Sequence, residues 1–193
     1  MPAETTTDDD WAGRRADGRR NRLKIIEAAH AVFAESGLSA TIPQIAERAG
    51  VGKGSVYRSF ATKDDLVAAI AARQIATLEQ RIEAVGADAP PADAVVAMTQ
   101  FVTILFETLA NDRVLADTLA EGSPTSGISR LLDPLWALVD AAKDAGAVRR
   151  DATELDLRVM VCGAVLQLRR LEIDEVAAWT RYGQMALTAL RPQ

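Results

Sequence analysis

A glycine-containing turn at residues 50–52 separates two short segments whose apolar residues follow helical spacing. In the first segment, apolar residues at 42, 45, 46 and 49 fall at i, i+3, i+4 and i+7, which is one face of a helix. The second segment, 53–59, carries Val56 on its inner side. Thr41 stands where a helix N-cap is expected. The pattern predicts two short helices joined by a tight turn, which is the geometry of a helix-turn-helix motif.

Helical spacing continues through the rest of the chain, and no segment alternates apolar and polar residues as a half-buried strand does. We therefore predict an all-α fold of about nine helices. Pro134 leaves one of them ambiguous, because that helix either bends at the proline or begins at Asp133. Besides 42–49 and 53–59, the predicted helices are 19–36, 63–85, 92–109, 112–121, 128–145, 153–170 and 174–190.

The clearest interruption of the helical pattern is the Gly-Ala-Asp-Ala-Pro-Pro stretch at 86–91. It follows the fourth predicted helix and precedes a body made only of apolar helices. We predict a disordered N-terminal tail over 1–18, a helix-turn-helix domain over 19–79 and a larger helical domain over 80–193. The helix-turn-helix motif itself is placed at 39–58.

Charge is distributed unevenly along the chain. Residues 11–60 contain nine Lys/Arg against four Asp/Glu, a net charge of +5, whereas residues 61–193 carry −6 and the first ten residues −4. A basic N-terminal block on an acidic body is typical of a protein that binds phosphate groups at one end. The alternative is a solvated basic surface with no partner, and charge alone does not separate the two.

Composition excludes several classes of function. The chain has one cysteine and one histidine, so we expect no disulfide, no metal site and no cofactor. We find no secretory signal and no apolar run near the ~20 residues that span a bilayer, so we expect a cytoplasmic protein without a membrane partner. No nucleophile lies near a base in the sequence pattern, and we therefore predict no catalytic residues and no enzymatic activity.

The stretch at 50–55 has a second interpretation, as a loop that binds the phosphates of a nucleotide. Such a loop needs Ser or Thr directly after the lysine and a strand before the loop. Here Gly54 follows Lys53, and a predicted helix precedes the turn. These differences favour the helix-turn-helix interpretation.

Two stretches resemble a known family signature. They are Ile-Ile-Glu-Ala-Ala-His-Ala-Val-Phe-Ala-Glu-Ser-Gly at 25–37 and Thr-Ile-Pro-Gln-Ile-Ala-Glu-Arg-Ala-Gly-Val-Gly-Lys-Gly-Ser-Val-Tyr-Arg-Ser-Phe-Ala-Thr-Lys-Asp-Asp-Leu at 41–66. Both are similar to the signature of the TetR family of transcriptional regulators, and the resemblance covers roughly 19–79. One departure is Gly52, where the family often has Ser or Thr.

The resemblance implies a site on the DNA-facing side of the motif. It implies phosphate contacts by Thr41, Tyr57 and Lys63. It also implies a basic arm of Arg19, Arg20 and Arg22 that touches the DNA backbone or the minor groove. It also implies groove-facing positions, which are Lys53, Gly54, Ser55 and Arg58. The residues by themselves agree, since Lys53, Ser55, Tyr57 and Arg58 are the outward positions of the second short helix.

We therefore predict a transcriptional regulator that binds double-stranded DNA at an inverted repeat and is a repressor released by an unidentified small-molecule effector. One alternative is a DNA-binding regulator without an effector. Another is a helical enzyme or ligand-binding protein, although no catalytic constellation supports an enzyme.

The predicted effector pocket lies in the domain over 80–193, because the helix at 92–109 is apolar on several faces and must be surrounded by others. Thr99 and Thr103 are further polar candidates. The alternative is that these residues form an ordinary packed core with no cavity. The predicted pocket residues are Met98, Phe101, Phe106, Trp136, Met160 and Gln167.

The last two predicted helices carry more apolar residues than one small domain needs, so we predict a homodimer through a four-helix bundle. Cys162 is interpreted as a small apolar residue. Arg169 and Arg170 are expected to be solvated. The predicted interface residues are Leu155, Val159, Cys162, Leu166, Val176, Trp179, Tyr182 and Leu187.

Overall fold

The structure is a computed structural model that describes residues 8–87, 94–120 and 128–192. Within these ranges it contains nine helices and no strand, which confirms the predicted all-α fold. The helices are α1 (Asp8–Ser36), α2 (Ile42–Ala49), α3 (Lys53–Ser59), α4 (Lys63–Ala87), α5 (Ala94–Asn111), α6 (Arg113–Ala120), α7 (Ile128–Asp144), α8 (Glu154–Arg170) and α9 (Val176–Thr188).

The chain forms two compact units, residues 1–70 and residues 71–193. Their division falls within α4, whereas the sequence places the domain boundary between 79 and 80, later on the same helix. The predicted break at 86–91 lies partly outside the described residues, and α4 continues to Ala87.

The start of α1 corrects the prediction of a disordered tail over residues 8–18, while residues 1–7 lie outside the described part of the chain. Further along, Asp17 and Arg20 form an ion pair one helical turn apart. This local interaction favours a helix in a segment whose polarity alone indicates a tail.

In unit 1, α1, α2 and α3 enclose a small apolar core. Ile26, Ile45, Val56 and Phe60 are all buried, as the inward pattern of the second short helix predicts. The turn between α2 and α3 depends on Gly50, which has a positive φ of 65° and donates its N–H to the carbonyl of Glu47. This turn fixes the direction in which α3 leaves the core.

In unit 2, α5 packs against both α7 and α9. Its buried side chains are Met98, Phe101, Val102, Leu105, Phe106 and Leu109. The close approach of α9 requires Gly183, because a Cβ there would lie 2.8 Å from Cδ2 of Phe106. The rings of Phe106 and Trp179 are 6.4 Å apart and tilted by 59°, a common arrangement of packed aromatic rings.

Two further features of unit 2 bear on the predictions. Pro134 lies inside α7, so the alternative of a helix that begins at Asp133 is wrong.

Among the described helices, α5 alone is long and apolar enough to cross a membrane, with a mean hydropathy of 1.4 over 18 residues. The large buried side chains of α5 belong to the core of unit 2, as expected for a core helix.

Candidate nucleic-acid interface and ligand-binding unit

Helix α3 presents a row of polar groups to solvent. Val56 is fully buried and anchors the helix, whereas Lys53, Tyr57 and Arg58 are exposed. Ser55 is half-buried and accepts a hydrogen bond of 2.8 Å from the guanidinium of Arg58. The structure thus brings the groove-facing residues implied by the family resemblance onto one exposed surface of a single short helix.

Two glycines at the start of α3 leave open space beside the backbone. A Cβ placed on Gly52 or Gly54 would meet no atom within 4 Å, and neither residue has a positive φ. Packing within unit 1 therefore does not require glycine at either position. A small residue there leaves room for a ligand to approach the backbone and the N-terminus of α3.

Two of the predicted phosphate-binding side chains already have partners. The hydroxyl of Thr41 donates to Oε1 of Gln44 at 2.8 Å, and the Thr41 amide donates to the same oxygen at 2.7 Å. The ammonium of Lys63 donates to the carbonyl of Leu38 and lies 5.6 Å from the centroid of the Phe33 ring. Lys63 therefore ties the turn after α1 to the start of α4, a role that the sequence pattern does not indicate.

The start of α4 is closed by reciprocal capping. The Thr62 amide donates to Oδ2 of Asp65 at 2.9 Å, and the Asp65 amide donates to Oγ1 of Thr62 at 3.0 Å. This is a capping box with Asp in the place usually held by Glu.

The surface of unit 1 also carries an ion pair between α1 and α2. The guanidinium of Arg48 donates to Oε2 of Glu35 at 2.5 Å. This hydrogen bond, together with the positive charge of Arg48, lowers the pKa of Glu35 below its ordinary value of 4.5. The pair joins the two helices that precede the turn into α3.

The predicted basic arm lies on the exposed part of α1. Arg19 and Arg20 are exposed, and Arg20 is paired with Asp17. Arg22, one turn further along, has its guanidinium against the end of α3. Arg22 therefore differs from Arg19 and Arg20, the other two residues of the predicted arm, because its guanidinium already has a partner on α3.

Two observations concern metal ligands and the single cysteine. The described residues contain no cluster of His, Cys, Asp and Glu that could hold a metal ion. Cys162 is half-buried, and burial raises the pKa of its thiol. A raised pKa lowers the fraction of reactive thiolate at neutral pH, which agrees with the interpretation of Cys162 as a packing residue.

The six predicted pocket residues are not brought together. Met98, Phe101 and Phe106 are buried in the core of unit 2, and Trp136 and Met160 pack against that core. Gln167 is exposed on the other side of α8 and lines a groove of about 360 Å³ between α8 and α9. The prediction for Gln167 is corrected, because the inward face of α8 is Leu157, Val161, Val165 and Leu168.

The polar candidates on α5 also differ from the prediction. The hydroxyls of Thr99 and Thr103 donate to carbonyls of their own helix, at 2.7 and 2.8 Å. The sequence pattern misses Gln100, whose Oε1 is enclosed by protein without a hydrogen-bond partner. An amide side chain in the middle of a largely apolar helix is the sequence signal that identifies it.

A second depression, of about 240 Å³, lies beside the end of α5 and is lined by polar side chains and by Val176. Nη1 of Arg81 donates to Oγ1 of Thr108 at 2.7 Å. Nε2 of Gln74 donates to Oδ2 of Asp112 at 2.6 Å. These groups bind one another and give no indication of a ligand.

The predicted dimer residues divide between an exposed and a buried face. Leu155 and Val159 are 67% and 60% exposed, and Val176 and Tyr182 are exposed on α9. Cys162 and Leu166 are half-buried. Trp179 and Leu187 are buried in the core of their own chain, which corrects their assignment to the interface, and Met185 is exposed instead.

The two arginines at the end of α8 also differ from each other. Arg169 is only 12% exposed, and its Nε lies 2.7 Å from Oδ1 of Asp117 on α6. The expectation that Arg169 is solvated is therefore wrong, whereas Arg170 is exposed.

Comparison with known proteins identifies relatives of both the motif and the whole chain. Residues 25–70 match the model of the bacterial regulatory proteins of the tetR family. An HTH-type transcriptional regulator from Staphylococcus aureus (strain USA300) is 42% identical over 53 residues. That match spans 27% of this chain and only 29% of the relative.

Two solved structures are similar to this chain over most of their length. A TetR transcriptional regulator from Streptomyces coelicolor is 32% identical with a TM-score of 0.57, and the match covers 89% of this chain and 99% of that one. The transcriptional regulator FadR from Bacillus subtilis, solved in complex with stearoyl-CoA, is 20% identical with a TM-score of 0.66. That match covers 88% of this chain and 99% of FadR, and at this identity the likeness concerns the fold.

Proposed function

The chain belongs to the TetR family of bacterial transcriptional regulators, and from this premise we propose that it is a cytoplasmic repressor released from a palindromic operator by a small molecule. The observation that carries the DNA-binding part is the surface of α3. Its polar side chains are exposed above the buried Val56, and the glycines beside them leave the backbone accessible. The major groove of DNA is wide enough to admit such a helix.

Each exposed group of α3 suits a defined contact. A guanidinium binds the O6 and N7 atoms of guanine with two hydrogen bonds, and Arg58 is the residue for this role. The Tyr57 hydroxyl and the Lys53 ammonium suit phosphate oxygens. Arg58 must release Ser55 or share its donors to reach a base, since the two are hydrogen-bonded in the free protein.

The test of DNA binding is selection of bound sequences from random duplex DNA, followed by titration of the enriched site at several salt concentrations. We expect the selected sites to be inverted repeats. The logarithm of the affinity should fall linearly with the logarithm of the salt concentration, because each phosphate contact releases counterions. Arg58→Ala should weaken binding by about 1–3 kcal/mol and relax preference at one base pair.

The matched control is Arg150→Ala, which removes an exposed arginine from unit 2. We expect this variant to retain both affinity and site preference. Failure of the selection to enrich any palindrome contradicts the proposed function, and so does an Arg58→Ala variant with unchanged affinity and preference.

We also propose a homodimer through α8 and α9. The support is the exposed apolar face that includes Leu155, Val159, Tyr182 and Met185, since a monomer gains nothing from such a face in water. Two-fold symmetry pairs one recognition helix with each half of an inverted repeat.

The effector is proposed to be an apolar small molecule bound in unit 2 beside α5. The support is the apolar surround of this helix together with the unpartnered carbonyl oxygen of Gln100. An enclosed acceptor without a donor costs about 1–3 kcal/mol, which a ligand N–H or O–H would relieve. FadR from Bacillus subtilis was solved with stearoyl-CoA, so acyl-CoA thioesters are reasonable first probes.

The effector proposal is tested by thermal unfolding with stearoyl-CoA, stearate and a panel of apolar metabolites. A ligand of the native state raises the melting temperature, and by linkage a ligand that releases DNA binds more weakly to the DNA complex. We expect Gln100→Leu to reduce the shift, whereas Gln167→Leu on α8 leaves it unchanged.

A regulator without an effector is the second candidate. The complete burial of Phe106 and near-complete burial of Met98 and Phe101 favours it, because a packed core has no room for a ligand. A ligand that binds unit 2 and leaves operator affinity unchanged would decide for this candidate. We expect no catalysis in either case, as family members are regulators.

A further inference from the structure

The C-terminal end of α3 is held by an arginine of α1. The guanidinium of Arg22 donates a hydrogen bond of 2.5 Å to the carbonyl oxygen of Ser59, the last residue of α3. Its Cζ atom lies 4.0 Å from the centroid of the Phe60 ring. One side chain therefore closes the end of the helix with a hydrogen bond and a cation–π contact.

Helix α3 depends on contacts of this kind because it is short. It has seven residues, and Val56 is its only buried side chain. The last carbonyls of a helix have no partner within the helix, and positive charge is favourable beside them. At this end the Phe60 amide donates to the Val56 carbonyl at 2.8 Å, and Arg22 supplies the donor for Ser59.

We propose that Arg22 is a positioning residue for DNA recognition. It fixes the C-terminal end of α3, and thereby the direction of Tyr57 and Arg58, instead of neutralising a phosphate of the DNA. This inference rests on the proposed function of α3. It separates Arg22 from Arg19, which is exposed on the preceding turn of the same helix.

The first test compares the salt dependence of operator binding for Arg22→Gln and Arg19→Gln. We expect Arg22→Gln to weaken binding about 10-fold, the order expected from the loss of a hydrogen bond to a charged group. The slope of log affinity against log salt concentration (the salt slope) should be unchanged. A residue that neutralises a phosphate releases counterions when it binds DNA. Arg19→Gln should therefore reduce the magnitude of the salt slope by about 0.9.

A conservative variant separates the two roles further. Arg22→Lys keeps the charge but loses the planar guanidinium that both stacks on Phe60 and reaches Ser59. We expect Arg22→Lys to remain nearly as weak as Arg22→Gln. Full recovery of binding by lysine would overturn the proposal, and so would a slope that falls by about 0.9 in Arg22→Gln.

The second test needs no DNA. Hydrogen exchange of the amides at 57–60 in the free protein should be faster in Arg22→Gln than in the wild type, and unchanged in Arg19→Gln, with equal helix content by circular dichroism. Unchanged exchange in Arg22→Gln would overturn the proposal. If the wild type bound no DNA at all, the proposed function would fail, while this measurement would still decide whether Arg22 holds α3.

Discussion

At the scale of single residues, two glycines in the middle of helices have opposite surroundings. A Cβ on Gly183 of α9 would lie 2.8 Å from the buried Phe106 ring, whereas one on Gly163 of α8 would meet nothing within 4 Å. Alanine in place of a helical glycine gains about 0.5–1 kcal/mol, but overpacking a core costs about 1–3 kcal/mol. The sign of the effect therefore depends on the neighbours.

We expect Gly183→Ala to lower the free energy of unfolding by about 1–2 kcal/mol. Gly163→Ala, the matched control, should leave it unchanged or raise it by up to about 1 kcal/mol. Urea unfolding at one protein concentration measures both. Equal effects of the two substitutions would show that α9 does not approach Phe106 of α5 closely at Gly183.

The Glu35–Arg48 pair gives a pH dependence with a defined sign. The pKa of Glu35 is lowered in the folded state, mainly by the hydrogen bond from Arg48, so its contribution to stability is complete above the ordinary value of 4.5. It is lost as the pH falls through the lowered pKa. The difference in unfolding free energy between the wild type and Glu35→Gln should therefore disappear in acid.

The matched control for this measurement is Glu47→Gln, which removes an exposed carboxylate from α2. Urea unfolding from neutral pH to below 4 should reveal the acid-dependent step for Glu35→Gln and not for Glu47→Gln. A difference for Glu35→Gln that persists undiminished at low pH would contradict the ion pair. The size of the step is expected to be small, since exposed pairs contribute little.

At the scale of helices, α6 and α8 are joined by a pair that solvent hardly screens. Arg169 is 12% exposed and its partner Asp117 is 23% exposed. A second ion pair, between Arg158 and Glu154 on α8, has an N···O distance of 3.4 Å, and its side chains are 41% and 54% exposed. We expect Arg169→Ala to cost about 1.5–3 kcal/mol, as loss of a hydrogen bond to a charged group does.

Arg158→Ala serves as the control on the same helix and should cost less than about 1 kcal/mol. Thermal and urea unfolding of the two variants provide the comparison. If both cost the same, the Arg169–Asp117 pair makes no special contribution to the packing of α6 on α8.

The helices that sequence predicts best are those with local signals. The ends of α2 follow from Thr41 and Gly50, and the start of α4 follows from Thr62 with Asp65, because caps act within a few residues. The start of α1 is predicted wrongly because it lacks such a local signal. Residues 8–18 lack an apolar stripe, and charge interactions along the helix carry little weight in the apolar pattern.

The orientation of α9 is harder to predict because both of its faces carry large apolar residues. Trp179 and Leu187 face inward, while Tyr182 and Met185 face outward. A periodic pattern cannot rank two apolar stripes. The decision comes from tertiary packing, in which Gly183 lies on the inward stripe and permits the approach to α5.

At the scale of the whole molecule, the proposed dimer predicts a separation of folding from assembly. Val159 is 60% exposed in the single chain, so Val159→Glu should leave the monomer fold intact and bury a charge only in the dimer. We expect this variant to sediment as a monomer with unchanged helix content and to lose affinity for the inverted repeat.

Val96→Glu is the control, since Val96 is a 41% exposed valine on α5, a helix that is not part of the proposed interface. It should sediment like the wild type. A wild-type chain that is monomeric at micromolar concentration would contradict the proposed dimer, as would a Val159→Glu variant that remains dimeric.

The packing of α9 on α5 also has a consequence for synthesis of the protein. Helix α5 ends at Asn111 and α9 ends at Thr188, so the ribosome must add nearly 80 further residues before this face of α5 is covered. At about 5–20 residues per second this takes about 4–15 s. Throughout that interval the nascent chain exposes the most apolar of the described helices, while residues 8–70 have already been synthesised. Unit 2 is therefore the part whose yield in the cell should depend on chaperones that bind nascent chains and on the speed of translation.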